Sequence, residues 1–167
     1  QAAGQPFRFV VWSWPAERVY RRLRPDFQLK ASRSDVQGCY LAQLIGRMDP
    51  DVPVTLIGHS YGARAITGAA HVLSGGSLAG WEMPEEQEPH ELRHLRAVLV
   101  AAAMDNDWLL PGRRHGLALG RLDSVLLTQN WSDPGLRWYP LMTKPRGPLA
   151  LGRSGLACPS LLGLDSQ

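Results

Sequence analysis

Cysteine is nearly absent. Cys39 and Cys158 are the only two in 167 residues, far apart and without metal-ligand spacing, so neither a disulfide framework nor a cysteine-based zinc site organises the chain. No apolar run approaches the roughly 18 residues of a membrane-spanning helix. Neither sign of charge dominates, since 18 Lys and Arg against 15 Asp and Glu leave a formal charge of +3. The basic residues gather in Arg18-Val19-Tyr20-Arg21-Arg22-Leu23-Arg24 and around Arg113. These clusters read as solvated faces, and no nucleic-acid-binding motif accompanies them. Internal repeats are also missing. Histidine is limited to His59, His71, His90, His94 and His115, with none further along. What remains is a chain 44% hydrophobic and 20% charged, enough to build one globular core.

The most informative segment is Gly58-His59-Ser60-Tyr61-Gly62, a G-x-S-x-G pattern. Val54-Thr55-Leu56-Ile57 before it is apolar and β-rich and reads as a buried strand. Ala63 to Leu73 after it reads as a helix with a small-residue face. A strand, sharp turn and helix would place the Ser60 hydroxyl at the crest of the turn. Side chains in place of Gly58 and Gly62 would collide with the neighbouring strand and helix. The Tyr61 N–H, at the start of the helix, would supply half an oxyanion hole. The bland alternative is a tight turn in which Ser60 merely caps the helix.

These residues resemble the α/β-hydrolase superfamily, and within it a little-characterised bacterial group with an H-S-x-G elbow. The likeness extends along the chain: Phe7 to Val11 running into Trp12-Ser13-Trp14-Pro15, a helix around Ser34 to Met48, and Val54 to Gly62. It continues through Leu95 to Ala103 with Met104-Asp105-Asn106-Asp107, and Ser124 to Thr128 with Gln129-Asn130-Trp131-Ser132-Asp133. It implies an α/β fold, a mostly parallel sheet with helices on both faces. The family order is nucleophile, acid, histidine, and its oxyanion loop precedes the strand at Phe7. The chain starts at Gln1 and carries no histidine after Asp133. The resemblance therefore implies a single partial domain over residues 1–167, incomplete at both ends. Residues 74–94 read as a loop excursion and 144–167 as a loop-rich C-terminal segment. Missing strands would leave unpaired sheet edges and poor solubility.

The acid implied by the resemblance is Asp133, in a turn at a strand end, with Asp105 and Asp107 as alternatives; each is also an ordinary turn residue. Asp35, flanked by Ser32 and Ser34, reads as a helix N-cap. Among the histidines, His59 adjoins Ser60 but projects elsewhere and reads as packed and hydrogen-bonded. His71, eleven residues further along a helix, would lie about 16 Å away. His115, on a mobile-looking basic loop, is the alternative base. His90-Glu91-Leu92-Arg93-His94 matches the H-E-x-x-H zinc pattern, yet Pro89 and the strand near Leu95 leave barely one helical turn for it. Trp14, Trp108, Trp131 and Trp138 fall at or after strand ends, where ligands bind in such sheets.

The expectation is a serine hydrolase acting on an ester or related acyl bond, with Ser60 as nucleophile, Tyr61 N–H on the oxyanion and Asp133 orienting a histidine outside this chain. It needs no cofactor or metal, and its partner is a small-molecule acyl substrate, with no nucleic acid and no membrane span. The contrasting reading is a non-catalytic module that keeps the fold but not the triad; a zinc hydrolase through His90 and His94 ranks third.

Overall fold

The structure is a computed structural model that describes residues 7–84, 94–143 and 147–162. Its centre is a three-stranded sheet of β1 (Val54–His59), β2 (Leu95–Val100) and β3 (Ser124–Leu127), in that spatial order. Both pairings are parallel, with Ile57 opposite Val98 and Val98 opposite Leu126. Helix α1 (Leu23–Gly46) precedes the sheet, and α2 (Tyr61–Leu73) crosses from β1 to β2. Shorter helices α3 (Tyr139–Thr143) and α4 (Leu151–Ser154) follow β3. Parallel strands joined by a crossover helix make the fold α/β.

Local chemistry explains the helices. Pro25 lies in the first turn of α1, where its missing N–H goes unmissed. Asp26 in the same turn accepts the N–H groups of Val19 (2.7 Å) and Tyr20 (3.1 Å) and pairs with Lys30 at 2.8 Å, tying the incoming chain to the helix. The hydrogen bond from Lys30, helped by those N–H donors, lowers the Asp26 pKa to about 2. One stripe of α1, Gly38, Cys39, Leu41, Ala42 and Ile45, is buried against α2. A side chain at Gly38 would come within 3.0 Å of the Ala65 carbonyl oxygen, so glycine there sets the closeness of the crossing. Helix α2 is buried along nearly its whole length, which its alanines and glycine permit.

The two faces of the sheet differ sharply. Leu95, Ala97 and Leu99 are buried on the face toward α2, joined in the core by Leu56, Val125 and Leu127. On the other face Ile57 is 68% exposed and Leu126 60% exposed, either side of a half-buried Val98. The expected cover on both faces is therefore found on one only among the described residues. Phe7 to Val11, expected as a strand, pairs with no described strand; Phe7 is 87% exposed and the segment has no regular structure. Without a ladder partner, β propensity alone does not make a strand. The N-terminal segment is tied to α1 instead, by Trp12 Nε1–H to Gln37 Oε1 (3.0 Å) and Arg33 to the Pro15 carbonyl (2.9 Å).

Two further expectations need correction. Helix α1 starts eleven residues before Ser34, so Ser32, Ser34 and Asp35 lie inside it and cap nothing. The C-terminal stretch is less loop-like than its Pro and Gly content suggests. Leu151 and Gly152 donate to the carbonyls of Met104 (2.8 Å) and Ala102 (3.0 Å), which docks α4 on the chain leaving β2. A side chain at Gly152 would sit 2.3 Å from the Ala102 nitrogen.

Candidate functional site

Ser60 stands between β1 and α2 with φ 55° and ψ −116°, a backbone state that costs a non-glycine residue about 1–3 kcal/mol. Neighbouring strands hold it there. Its N–H donates to the Val100 carbonyl at 2.9 Å, and its carbonyl accepts from Ala63 and Ala103, both at 3.2 Å. The Ser60 side chain makes no capping hydrogen bond to α2. That removes the bland account in which the serine is present only as a cap. A side chain at Gly58 would lie 2.6 Å from the Gly62 carbonyl carbon, so only glycine fits. Gly62 differs from expectation: a side chain there would meet nothing within 4 Å. The turn thus depends sterically on one glycine, not two.

Tyr61 opens α2, and its N–H, in the first turn, has no acceptor within the helix. Its side chain points away from chemistry: the hydroxyl donates to the Phe27 carbonyl at 3.2 Å and the ring meets Phe27 edge-on. Burial pushes this phenol up to about 12, so it stays protonated at neutral pH.

The acids occupy different settings. Asp133, half-buried after β3, accepts the Leu136 N–H on Oδ1 at 2.8 Å, which ties it to the first residue of the 3-10 turn Leu136–Trp138. Asp105 follows β2 and accepts the Tyr139 hydroxyl at 2.7 Å. Burial, then the neighbouring Asp105 charge, raises the Tyr139 phenol well above its ordinary value. Asp107 lies 3.5 Å from Arg113 Nε.

The histidines are placed otherwise than the sequence suggests. His59 is exposed on the open face of the sheet rather than packed. His115 is fully buried, in a loop closed by backbone hydrogen bonds: its N–H donates to the Trp108 carbonyl (2.9 Å) and that of Gly116 to the Arg113 carbonyl (2.9 Å). His115 Nδ1 lies 2.8 Å from Thr67 Oγ1, whose hydroxyl faces the Ala63 and Arg64 carbonyls at 3.2 Å. A hydroxyl that donates to one of those carbonyls, or to Met104 Sδ at 3.4 Å, is left to accept from a His115 Nδ1–H, the arrangement a neutral Nδ1–H ring would complete. Nε2 is buried with no hydrogen-bond partner. Burial, then the Arg64 cation, holds the imidazole well below its usual pKa. Thr67 is seven residues beyond Ser60, about 10 Å along the helix. His115 therefore meets Thr67 where a base would have to meet Ser60. His71 is lowered by burial too, and its Nδ1 accepts the Leu117 N–H at 3.3 Å. His94 is exposed outside any helix, 3.3 Å from Asp123 Oδ2. His90 and Glu91 lie outside the described residues. Among those described, no group of three His, Cys, Asp or Glu side chains is arranged to hold a metal. Nor does any described helix have the length and apolarity to cross a membrane.

One constellation has no counterpart in the sequence reading. Arg64, one turn beyond Ser60 on α2, makes a bidentate pair with Asp35 on α1, both bonds 2.7 Å. Arg114 reaches the same Asp35 Oδ2 at 2.8 Å. Both guanidinium carbons lie over the Trp108 ring, 4.6 and 4.9 Å from its centroid. These residues, with Gln28, Asp105 and Tyr139, line an open cleft of about 490 Å³. Ser60 does not line it. A single charge inside the apolar run Ala63-Arg64-Ala65-Ile66 was the one sequence signal that something must pair with it. Of the strand-end tryptophans, only Trp108 takes part; Trp131 and Trp138 are exposed beside Arg153 and Arg137.

Compared with known proteins, the chain matches no family model, no curated protein and no solved structure. The fold is α/β; any finer assignment rests on the site alone.

Proposed function

We propose that the chain carries the nucleophile of an α/β-hydrolase-type serine hydrolase, acting on an ester or related acyl bond. The observation that carries this reading is the Ser60 backbone: φ 55° on a serine that caps nothing, between a strand and a helix that tolerate only glycine at residue 58. Strain of this kind clusters at functional sites; Ala79, His94, Ala101 and Cys158 also have positive φ, and Ser60 differs from them in carrying a nucleophilic hydroxyl at a strand-to-helix turn. Ser60 Oγ attacks the substrate carbonyl, the oxygen gains charge, and the Tyr61 N–H stabilises it with the positive end of α2 behind it. Asp133 is the acid of the triad; Asp105 is the alternative, with Asp107 behind it. The acid holds the general base in the correct tautomer; that base, a histidine other than the four described ones, takes the Ser60 hydroxyl proton as Oγ bonds to the carbonyl carbon and gives it to the leaving alkoxide as the acyl bond breaks.

A second reading keeps the turn and drops the reaction, as a non-catalytic module. It is favoured by the placement of His71 and His115, each engaged away from Ser60. Hydrolysis of p-nitrophenyl acetate and butyrate by the full-length gene product separates the two. The hydrolase reading expects turnover that Ser60→Ala lowers by about a thousandfold or more, with no effect of a chelator. Turnover retained in Ser60→Ala overturns the role of Ser60. Absence of turnover in a protein shown to be folded favours the non-catalytic module.

A further inference from the structure

The cleft at Arg64 and Arg114 contains more hydrogen-bonding capacity than the protein uses. Three guanidinium N–H groups are committed to Asp35. The remaining donors of both arginines have no partner among the described residues. Arg64 Nη1 is not sealed off in the interior either, since the buried unpartnered atoms belong to His115 and Arg121. Both side chains line the cleft, so their unspent donors are available to whatever enters it. Arg114 is 45% exposed and yet held in place, by Asp35 on one side and the Trp108 ring on the other. A guanidinium fixed before a ligand arrives loses little freedom on binding, which favours a planar oxyanion.

Charge then selects among anions. Two arginines against Asp35 leave one net positive charge at this wall. Asp105 stands on the same cleft, already accepting from Tyr139, so the lining as a whole sums to neutral and the positive charge is confined to the arginine wall, a field that disfavours a dianion most. A singly charged carboxylate matches this field better than a phosphate dianion. The volume of about 490 Å³ suits a small ligand.

We propose that this cleft is a carboxylate-binding subsite, in which Arg64 and Arg114 hold one carboxylate of a small ligand whose apolar body lies against Ala31 and Tyr139. Arg64 lies one helical turn from Ser60, so the bound carboxylate would belong to the acyl substrate; that part rests on the hydrolase reading, whereas the binding itself does not.

Benzoate and its neutral isostere benzamide are suitable probes, titrated into the full-length protein at pH 7 and followed by NMR on the Trp108 indole N–H. Inorganic phosphate serves as the competing oxyanion, and Ser60→Ala separates binding from chemistry. The expected result is saturable binding of benzoate, unchanged in Ser60→Ala and weaker by about tenfold or more in Arg114→Gln. Benzamide should also bind about tenfold or more weakly. Arg114 is half exposed and leaves Asp35 its bidentate partner when replaced, so the variant should keep its melting temperature within a few degrees. Should it unfold, the comparison of benzoate with benzamide on the wild-type protein decides alone. Equal binding of the two, or benzoate binding untouched in a folded Arg114→Gln protein, overturns the proposal, as does tighter binding of phosphate. Benzoate binding without turnover of esters would leave the subsite standing and remove the hydrolase. Turnover without benzoate binding would do the reverse.

Discussion

The turn at Ser60 and the cleft at Arg64 are one helical turn apart on α2, yet they are maintained by opposite means. The turn is a local device. Gly58 lets β1 pack against the start of α2, Ser60 takes the strained backbone state between them, and hydrogen bonds to Val100 and Ala103, on and just after β2, hold it. At the cleft Asp35, Arg64, Trp108 and Arg114 all have negative φ; the cleft depends on charges from α1, α2 and the loop after β2 meeting at a wall where Asp35 and Arg64 are buried and Arg114 is half exposed. Strain tolerates solvent and depends on shape, whereas a buried ion pair depends on every partner being present. The two sites should therefore fail differently when altered.

The cleft should be the more fragile. Asp35→Asn leaves Arg64, only 7% exposed, without a counter-charge, and should destabilise the protein by about 3–5 kcal/mol. Denaturant melts would measure this, and a loss below 1 kcal/mol would mean that the pair is solvated. At the turn, Gly58→Ala places a carbon 2.6 Å from the Gly62 backbone and should cost about 1–3 kcal/mol. A fully stable Gly58→Ala protein would show that the turn relaxes easily and would remove the claim of strain.

A pH titration probes the interior beside the cleft, where the His115 ring meets Trp108 edge-on at 4.9 Å. The folded pKa of His115 is depressed, so its contribution to stability is complete above the unfolded value of about 6.5 and is lost as pH falls below that. His115→Asn keeps an N–H near the Thr67 hydroxyl and removes the titration, so its stability should vary less with pH between about 7 and 5. An identical slope in both proteins would place the imidazole in solvent. The smallest effect belongs to Gly62→Ala. The position is helical and open, so alanine should raise stability by about 0.5–1 kcal/mol. Destabilisation there would restore the steric role for the second glycine that the structure denies.

Legibility follows the same division. The strand before Ser60, the turn and α2 were readable because each depends on neighbours in sequence: β-rich residues, then glycine, then a run of alanines. The strand at Leu95 and the short one at Ser124 were readable for the same reason. Phe7 to Val11 was misread because a strand is defined by its partner, and no pattern within five residues reveals whether one is present. Asp35 was read as a cap from the serines beside it, since its partners lie 29 and 79 residues away. His115 was read as mobile because glycine and arginine surround it, while the turns that bury it are backbone hydrogen bonds without a signature in composition. Asp133 shows the limit at the site itself. Its place in a turn after β3 was legible, and that turn already accounts for its bond to Leu136.

The central claim is that Ser60 is a nucleophile held at the crest of a strained turn. Reaction of the full-length gene product with a fluorophosphonate, followed by peptide mass spectrometry, tests it most directly. The account predicts a single phosphonylated residue, Ser60, and no adduct in Ser60→Ala. An adduct on another serine, or none on a protein shown to be folded, would contradict it.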